Sequence, residues 1–345
     1  MQHQENISVD SVIDRCLVAN YEHDAIADIL DAVFGNAKYD VAFVQARVDR
    51  VEKYKAQLKH LLTLPKLEQR TPEWHEARQT LITASDFAQA LGDGKFGTRE
   101  QLLRKKCGYE EDKFNAAAPA LKWGTMLEPV ANEVYAQRNK MAIHEFGLLK
   151  HPEISHFGAS PDGVNECGIM VEIKCPFRRK IDGTVPLQYF YQIQGQLDVT
   201  GLEECDYFEC EFMGSEDVEE IFFEDQGGEK GVVIEYAGDE FVYSPTKYSW
   251  TAAELASWVE ANTKSSSPPV KILYYRLEKC STIRVYKDET FLKEKLARLA
   301  DVWDKVLEYR ADEALYNREL KKGVVEPKAG YKNAAAPFKG TWAFD

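Results

Sequence analysis

Two carboxylates and a lysine stand close together in one short stretch of the sequence. Asp162 lies in a Pro-Asp-Gly turn, and Glu172 and Lys174 lie in the apolar run that follows it. Side chains alternate between the two faces of a strand, so Glu172 and Lys174 should project from the same face. A chain reversal between Gly163 and Gly168 would return Asp162 to the same edge. Two acids and an ammonium group suit a divalent metal, a phosphate and an activated water, whereas a hairpin with a surface ion pair is the ordinary alternative.

A second group of residues could bind an anion. Thr71 followed by Pro72 is typical of a helix start, and the helix would carry Arg78. A second helix should begin near Thr83 and Ser85, either of which could cap it. Arg78, the two hydroxyls and the free helix amides could together bind a phosphate. Simple helix capping beside a surface arginine is the alternative.

A third carboxylate, Glu128, lies where a helix should be irregular. Gly124 precedes it and would permit close approach of a neighbouring backbone. Pro129 follows it and either starts the regular helix or kinks one that is already running. An irregular turn of this kind can aim a carboxylate inward, although a solvated glutamate is the ordinary interpretation.

A row of glutamines follows the central stretch. Gln192 and Gln196 are one turn apart on a predicted helix, and Gly195 makes room there for a neighbouring element. Contact with a phosphate or a base, and a polar helix face lined with amides, both remain open.

Hydrophobic periodicity predicts the elements that position these residues. Residues 8–63 should be helical, and 169–173 and 207–213 should be strands. Residues 232–236 and 240–243 should form a hairpin, 251–262 a helix, 272–276 a strand and 289–320 one long helix. We predict four segments: a helical N-terminal extension at 1–66, a core at 67–215, C-terminal strands and a long helix at 216–320, and a tail at 321–345.

Composition indicates a packed globular protein. The 345 residues are 44% hydrophobic and carry a formal net charge of −14. Residues 70–180 hold 16 basic and 15 acidic residues, a net charge of +1, so the rest of the chain carries a net −15, much of it between residues 203 and 229. Basic clusters at 104–106 and 178–180 flank the central stretch and could supply local positive potential. The overall charge disfavours coating of DNA by the whole surface.

Seven scattered cysteines, with no Cys-x-x-Cys pair, favour reduced thiols and disfavour a structural zinc or iron–sulfur site. The sequence shows no signal-peptide pattern and no apolar run long enough for a membrane span. We therefore expect an intracellular, non-secreted protein without a membrane partner.

Five motifs in a fixed order give the sequence a resemblance to a known family. They are Trp74-His-Glu-Ala-Arg78 with Ile82-Thr-Ala-Ser85, Trp123-Gly-Thr-Met-Leu-Glu128, Ser160-Pro-Asp162-Gly, Val171-Glu172-Ile-Lys174-Cys-Pro, and Gln192-Ile-Gln-Gly-Gln196. The chain resembles the lambda-exonuclease-like (YqaJ-type) viral recombinases of the PD-(D/E)xK nuclease superfamily over about residues 70–213. The resemblance implies an α/β fold of the α+β-like kind. A mixed sheet flanked by helices would form a restriction-endonuclease-like core, with helical N-terminal and mixed C-terminal additions.

The resemblance also implies Mg²⁺-dependent hydrolysis of linear duplex DNA from the 5′ end, releasing 5′-mononucleotides. Two Mg²⁺ ions, which Mn²⁺ could replace, would be held by Asp162 and Glu172 with the Ile173 carbonyl. Glu128 would complete the second metal position. Lys174 would orient or deprotonate the attacking water.

Further roles are implied for residues outside the acidic cluster. Gln192 would support the scissile phosphate or the water, and Arg78 with Ser85 would hold the 5′-phosphate. The other implied DNA contacts are Thr83, Gln196 and Arg178.

The implied partners are duplex DNA with 5′-phosphorylated ends, a single-strand annealing protein and further copies of the chain in a trimer. The pathway would be DNA recombination, repair or viral genome processing. Three alternatives remain open: an endonuclease, a RecB-like single-strand nuclease of the same fold, and a DNA-end-binding protein without catalysis.

Overall fold

The structure, a computed structural model, describes residues 8–35, 39–65, 67–109, 118–223, 228–264 and 267–320. Its helices are α1 (Val9–Val18), α2 (His23–Phe34), α3 (Val41–Thr63), α4 (Pro72–Gln79), α5 (Phe87–Leu91), α6 (Arg99–Cys107), α7 (Pro119–Asn139), α8 (Leu187–Thr200), α9 (Val218–Phe222), α10 (Ala252–Asn262), α11 (Glu289–Ala311) and α12 (Glu313–Glu319). A 3₁₀ turn, Ala84–Asp86, leads into α5. No helix in these ranges is both long and apolar enough to cross a membrane.

The strands are β1 (Ile82–Thr83), β2 (Ile143–His144), β3 (Leu149–Lys150), β4 (Phe157–Ala159), β5 (Gly163–Asn165), β6 (Met170–Lys174), β7 (Glu204–Ser215), β8 (Lys230–Tyr236), β9 (Glu240–Tyr243) and β10 (Lys271–Tyr286). A seven-stranded sheet has the order β2-β5-β6-β7-β10-β8-β9, and β1, β4 and β3 form a three-stranded sheet. β6 and β7 pair in parallel, while β5 and β6 pair antiparallel. The prediction of a mixed α/β fold, with helices flanking a mixed sheet, is confirmed.

The β5–β6 hairpin produces the predicted chain reversal. Gly168 takes φ 76°, a left-handed conformation that favours glycine, and Gly163 then pairs with Val171. Alternation along β6 puts Val171 and Ile173 into the hydrophobic cluster that contains the buried face of α7. Met170 belongs instead to the cluster that contains α8. The other β6 side chains on that second face therefore point toward α8.

Helix α7 runs without interruption through Pro129, so of the two predicted alternatives the one in which proline falls inside a running helix is correct. The predicted close approach at Gly124 is wrong, because no atom of another described element lies within 4 Å of where its Cβ would be. The prediction for Gly195 is confirmed. A Cβ on Gly195 would lie 2.9 Å from Phe157 Cζ and 3.2 Å from Ala84 Cβ, so α8 can pack here only without a side chain.

A buried ion cluster joins the N-terminal helices to the sheet. Arg47 on α3 donates to both oxygens of Asp14 on α1, at 2.8 Å each, and also contacts Glu204 on β7. Arg284 on β10 donates to Glu204 at 2.5 Å and to Asp206 at 2.7 Å. All five side chains are at most 5% exposed. Part of the acidic excess after residue 203 is therefore internal, not a negative surface.

The C-terminal part contains the predicted β8–β9 hairpin and the helix α10, and two of its elements differ in length from the prediction. The predicted strand 272–276 is only the start of β10, which continues to Tyr286 because it pairs along β7. The predicted long helix ends at Ala311 and restarts at Glu313, because Asp312 leaves helical geometry and its carboxylate caps Leu315 N at 2.9 Å. The four-segment division stays a prediction, and the tail at 321–345 lies outside the described residues.

Candidate functional site

Glu172 is held from three sides on the face of β6 that looks toward α8. Gln192 Nε2 and Gln196 Nε2 donate to its two carboxylate oxygens at 2.7 Å and 2.8 Å. Lys174 Nζ contacts the same carboxylate and donates to the Ile173 carbonyl at 3.1 Å. Glu172 is fully buried, so these donors replace water around its charge. The predicted common face of Glu172 and Lys174 is confirmed.

Asp162 reaches the same edge through the hairpin. Its Oδ2 accepts a hydrogen bond from the Ile173 N–H at 2.7 Å, which fixes the carboxylate beside the strand that carries Glu172. Burial raises the pKa of Asp162 well above its usual value, and the negative charge of Glu172 raises it further. For Lys174, burial alone would lower the pKa. The Glu172 and Asp162 carboxylates outweigh burial and hold the pKa of Lys174 above its usual value, so Lys174 is a cation.

Glu128 faces the same region from α7. Its Oε2 accepts from Arg70 Nη2 at 3.0 Å, and burial raises the pKa of Glu128 against the opposing charges of Arg70 and Lys174. A cavity of about 510 Å³ has Glu128, Asp162, Ile173 and Arg70 on its walls. Glu68 and Glu145 line it too, so this cavity is predominantly acidic.

The acids are nevertheless not arranged as a finished metal site. Among the described ranges, no three acidic, histidine or cysteine side chains are grouped closely enough to hold a metal ion. The ion pairs explain this arrangement, because Arg70 engages Glu128 and Lys174 engages Glu172. Two of the acids, Glu128 at the cavity wall and Glu172 buried behind it, thus already have a cation beside them.

Arg78 lies in a separate polar cluster at the start of the 3₁₀ turn. Its Nη2 donates to Ser85 Oγ at 3.2 Å and to Thr83 Oγ1 at 3.3 Å, and its guanidinium lies 4.2 Å from the centre of the Trp74 ring. Burial lowers the pKa of Arg78, and the charge of Asp86 offsets part of that effect. Ser85 is exposed. The predicted assembly of an arginine and two hydroxyls at a helix start is thus present.

A second cavity, of about 570 Å³, has Arg78 and Trp74 on its walls. Arg70 lines both cavities, so the two adjoin. The second cavity is predominantly basic, because its other charged lining residues are Lys105, Lys106, Lys122 and the single acid Asp239. An acidic cavity and a basic cavity therefore share one wall.

Two predicted DNA contacts do not fit their observed surroundings. Gln196 is 1% exposed and its amide donates to Glu172, so Gln196 orients the carboxylate instead of facing a ligand. Thr83 is also 1% exposed, and its hydroxyl donates to Asp86 at 2.7 Å. These placements argue against direct DNA contact by Gln196 and Thr83. Arg178, in contrast, is exposed and lies over the Phe177 ring at 5.3 Å.

Most residues of the predicted basic clusters are paired with acids or backbone carbonyls of the chain itself. Lys106 is buried and pairs with Asp86 at 2.9 Å, and Arg104 donates to the Leu320 carbonyl at 2.8 Å. Arg179 and Lys180 pair with Glu209 and Glu211 on β7, respectively. Sequence clustering therefore overestimated the positive surface beside the site.

Sequence reasoning also missed two residues of the site. Arg70, with φ 69°, lies shortly before the first motif and contacts Glu128, 58 residues away in sequence. Tyr189 lies one turn before Gln192 on α8, and its ring centre is 5.2 Å from Lys174 Nζ. A pattern search could have found Tyr189 from its spacing to Gln192, whereas nothing local marks Arg70 as a partner of Glu128.

Part of the chain matches the sequence model of a known protein family. Residues 73–203 match the YqaJ-like viral recombinase domain family, which confirms the resemblance for that part of the chain. Uncharacterized protein R354 of Acanthamoeba polyphaga mimivirus is 28% identical over 304 residues, which cover 72% of this chain and 54% of that protein. Protein D345L of African swine fever virus (strain Badajoz 1971 Vero-adapted) is 30% identical over 162 residues, which cover 38% of this chain and 46% of that protein. The chain thus spans about half the length of these relatives.

Two solved structures are similar at lower levels. An alkaline exonuclease (LHK-Exo) from Laribacter hongkongensis has a TM-score of 0.44 and 21% identity, covering 73% of this chain and 100% of that one. A phage related exonuclease from Haemophilus somnus 129PT has a TM-score of 0.41 and 12% identity, covering 68% of this chain and 96% of that one.

Proposed function

We propose that this chain, whose residues 73–203 form a YqaJ-like viral recombinase domain, is a metal-dependent exonuclease that digests linear duplex DNA from its 5′ end. One observation carries the proposal. The acidic cavity with Asp162 and Glu128 shares its Arg70 wall with the basic cavity that holds Arg78. Metal-assisted hydrolysis of a phosphodiester uses a centre that takes cations, and positive groups nearby can hold the phosphates of the substrate.

The donor chemistry fits a divalent metal ion. The Asp162, Glu172 and Glu128 carboxylates and the Ile173 carbonyl are hard oxygen ligands, which Mg²⁺ prefers and Mn²⁺ accepts. Burial, and after it the negative charge of Glu172, raises the pKa of Asp162, and a bound cation would offset both effects. When bound, such ions stabilise charge on the scissile phosphate and lower the pKa of water. We infer two ions, with Glu128 released from Arg70 to take part.

Lys174 and the glutamines have distinct tasks in this proposal. Lys174 carries a positive charge beside Glu172 and the Ile173 carbonyl, so it would orient water or phosphate as a hydrogen-bond donor. Gln192 and Gln196 keep the Glu172 carboxylate in one orientation. Of the two, Gln192 is partly exposed and could also donate to a phosphate oxygen.

Arg78 and Ser85 would hold the terminal 5′-phosphate. The Arg78 guanidinium and the Ser85 hydroxyl can both donate hydrogen bonds to a phosphate dianion, and those from arginine are charge-assisted. A 5′-hydroxyl end carries no such phosphate. Such a pocket places the first linkage of the strand near the acids and so explains preference for an end.

The test is end resection by the purified chain. Linear duplex with 5′-phosphates, labelled at either the 5′ or the 3′ end, is incubated with MgCl₂, with MnCl₂ and with EDTA. We expect early release of 5′-labelled mononucleotide, none in EDTA, and no cutting of closed circular duplex. Asp162→Asn should abolish release, whereas Glu153→Gln, a change of the same type at an exposed acid, should not. Equal cutting of circular and linear DNA would instead show an endonuclease.

The pocket formed by Arg78 and Ser85 is tested by comparing 5′-phosphorylated with 5′-hydroxyl ends. Arg78→Ala should slow digestion of 5′-phosphorylated ends by about 10- to 100-fold, the equivalent of one charge-assisted hydrogen-bonded contact, and change 5′-hydroxyl ends little. Arg318→Ala, which removes an exposed arginine on α12, is the control. An equal loss on both kinds of end would contradict the pocket.

The paired acids favour a second candidate, a DNA-end-binding protein without catalysis. Arg70 and Lys174 already neutralise Glu128 and Glu172, as they would in a site that never takes metal. Intact DNA after incubation with either metal, identical for Asp162→Asn and the parent, would support this candidate over the nuclease.

Assembly, partners and location are proposed on the family alone. We propose a homotrimer, cooperation with a single-strand annealing protein, and action in recombination, repair or viral genome processing. The viral relatives support only the further proposal that the protein acts inside a host cell. Light scattering on the full chain tests the trimer.

A further inference from the structure

Phe96 is a large apolar side chain left in solvent beside the candidate site. Its side chain is 76% exposed, in the loop between α5 and α6. Single exposed apolar residues are common, so exposure alone carries no function. Phe96 differs from such residues because its loop is held by hydrogen bonds and its ring lies next to Tyr189.

The loop is held in place at both ends. Asp93 Oδ2 accepts from the Tyr191 hydroxyl at 2.6 Å, which ties the loop to α8, the helix of the glutamine row. Gln89 Nε2 donates to the Thr98 carbonyl at 2.9 Å and so closes the loop across its base. Phe96 is therefore presented by a fixed loop, and its exposure is not the result of a loose chain.

Two glycines make this loop conformation possible. A Cβ on Gly94 would lie 2.8 Å from Gln89 Cα, and a Cβ on Gly97 would lie 3.1 Å from the Gln101 Oε1. The backbone at Gly94 thus packs tightly against α5 before Phe96, whereas the Gly97 backbone lies against the side chains of Gln89 and Gln101 after it.

The ring stands at the outer end of a row that begins at the acidic cluster. The centres of the Phe96 and Tyr189 rings are 6.5 Å apart at an interplanar angle of 45°, and Tyr189 lies 5.2 Å from Lys174 Nζ. Lys95, which precedes Phe96, is exposed as well. Rings interleaved with ammonium groups are the usual surface for an unpaired nucleic-acid strand, because bases stack while phosphates are attracted.

We propose that Phe96 and Tyr189 form a stacking site for an unpaired nucleobase of the strand being cut, next to its scissile phosphate. The site rests on the proposed nuclease function and adds to it that the terminal base pair must open. Because every base has a π-face, the site would not select sequence. A protein partner docking on Phe96 is the competing occupant.

The probe is a 5′-phosphorylated duplex with 2-aminopurine at its first or second 5′ nucleotide, bound to the full chain with CaCl₂ in place of MgCl₂. Stacking on an aromatic ring quenches this base. We expect the parent to quench it, Phe96→Trp to retain quenching, and Phe96→Ala to lose most of it. Phe96→Ala should also bind about 5- to 100-fold more weakly, the range for loss of one stacked base.

Phe223→Ala is the matched control, since Phe223 is 84% exposed just after α9, which packs in a different hydrophobic cluster. An abasic nucleotide at the probe position removes the stacking partner. The affinity difference between parent and Phe96→Ala should then disappear, and the salt dependence of binding should be the same for both, because the ring carries no charge.

Unchanged quenching in Phe96→Ala, or an affinity loss that persists on the abasic duplex, overturns the stacking site and leaves the ring to a protein partner. Those results are separate from the failure of the nuclease itself. If the parent neither binds nor cuts the duplex, the proposed function is refuted. If the parent cuts the duplex and Phe96→Ala still quenches the probe, only the stacking site is refuted.

Discussion

Replacement of Arg47 by methionine should destabilise the protein far more than the same replacement of Arg50, three residues further along α3. Arg47 is fully buried and donates to Asp14 twice at 2.8 Å. Arg50 is 43% exposed and reaches Asp10 at 3.4 Å. Both variants remove one positive charge from one helix and add a similar apolar stem, so burial is the main difference.

The magnitude follows from the charges that remain. Without Arg47, Arg284 is the cation that still pairs with Asp14, Glu204 and Asp206 within the described ranges. Removal of one partner from a buried ion pair costs about 3–5 kcal/mol, because a charge is left buried and uncompensated. An exposed pair such as that of Arg50 contributes about 0–1 kcal/mol.

Urea unfolding, followed by circular dichroism, measures both free energies of unfolding. Addition of Asp14→Asn to Arg47→Met should recover part of the loss, because it removes one of the uncompensated charges. The reasoning is refuted if Arg47→Met costs no more than Arg50→Met, or if Asp14→Asn adds its full cost to that of Arg47→Met. Either result would mean that water or rearrangement compensates the acids.

Three further predictions concern the core and its stability. Gly195→Ala should lower the free energy of unfolding by about 1–3 kcal/mol, because the new Cβ meets packed rings. Gly124→Ala should raise it by up to about 1 kcal/mol, because the position is open and alanine favours the helix. Urea unfolding of both variants measures the difference. Burial alone raises the pKa of Asp86, but the neighbouring cations hold it below its usual value. Its stabilising contribution is therefore present above pH ~4 and lost below it, so the stability difference between parent and Asp86→Asn should shrink from pH 5 to pH 3. Arg179→Met should lower the free energy of unfolding by about 2–3 kcal/mol, because fully buried Glu209 loses its cation. Lys180→Met, at an 85% exposed lysine, should lower it by less than about 0.5 kcal/mol. Equal thermal midpoints of the two variants would contradict this expectation.

The parts of the site that the sequence predicts are those with a short-range cause. Alternation along a strand puts Glu172 and Lys174 on one face, and a glycine with positive φ lets the hairpin return Asp162 to them. Helical spacing likewise puts Gln192 and Gln196 on one face. Each of these relations involves at most about twenty residues of chain.

The parts that the sequence does not predict depend on partners that meet only in the folded chain. Arg47 and Glu204 are 157 residues apart, and neither has a local feature that marks it as buried. A run of basic residues predicts charge but not exposure, which is why Lys106 was expected at a surface and lies inside. Pairing along a neighbouring strand, as in β10, extends an element beyond its own hydrophobic pattern.

The net charge of −14 likewise does not show which acids are buried and which face solvent, and this difference bears on function. Some of the acids, among them Glu204, Asp206 and Glu209, are buried against arginines and contribute little to the field outside. Others line the first cavity, where a cation is the expected ligand, while cations dominate the second. Phosphate attraction depends on the potential within about one Debye length, roughly 8–10 Å, and not on the total charge of the chain. An acidic protein can therefore hold DNA at one end of the strand while its remaining surface repels it, which suits an enzyme that acts at termini better than one that coats duplex.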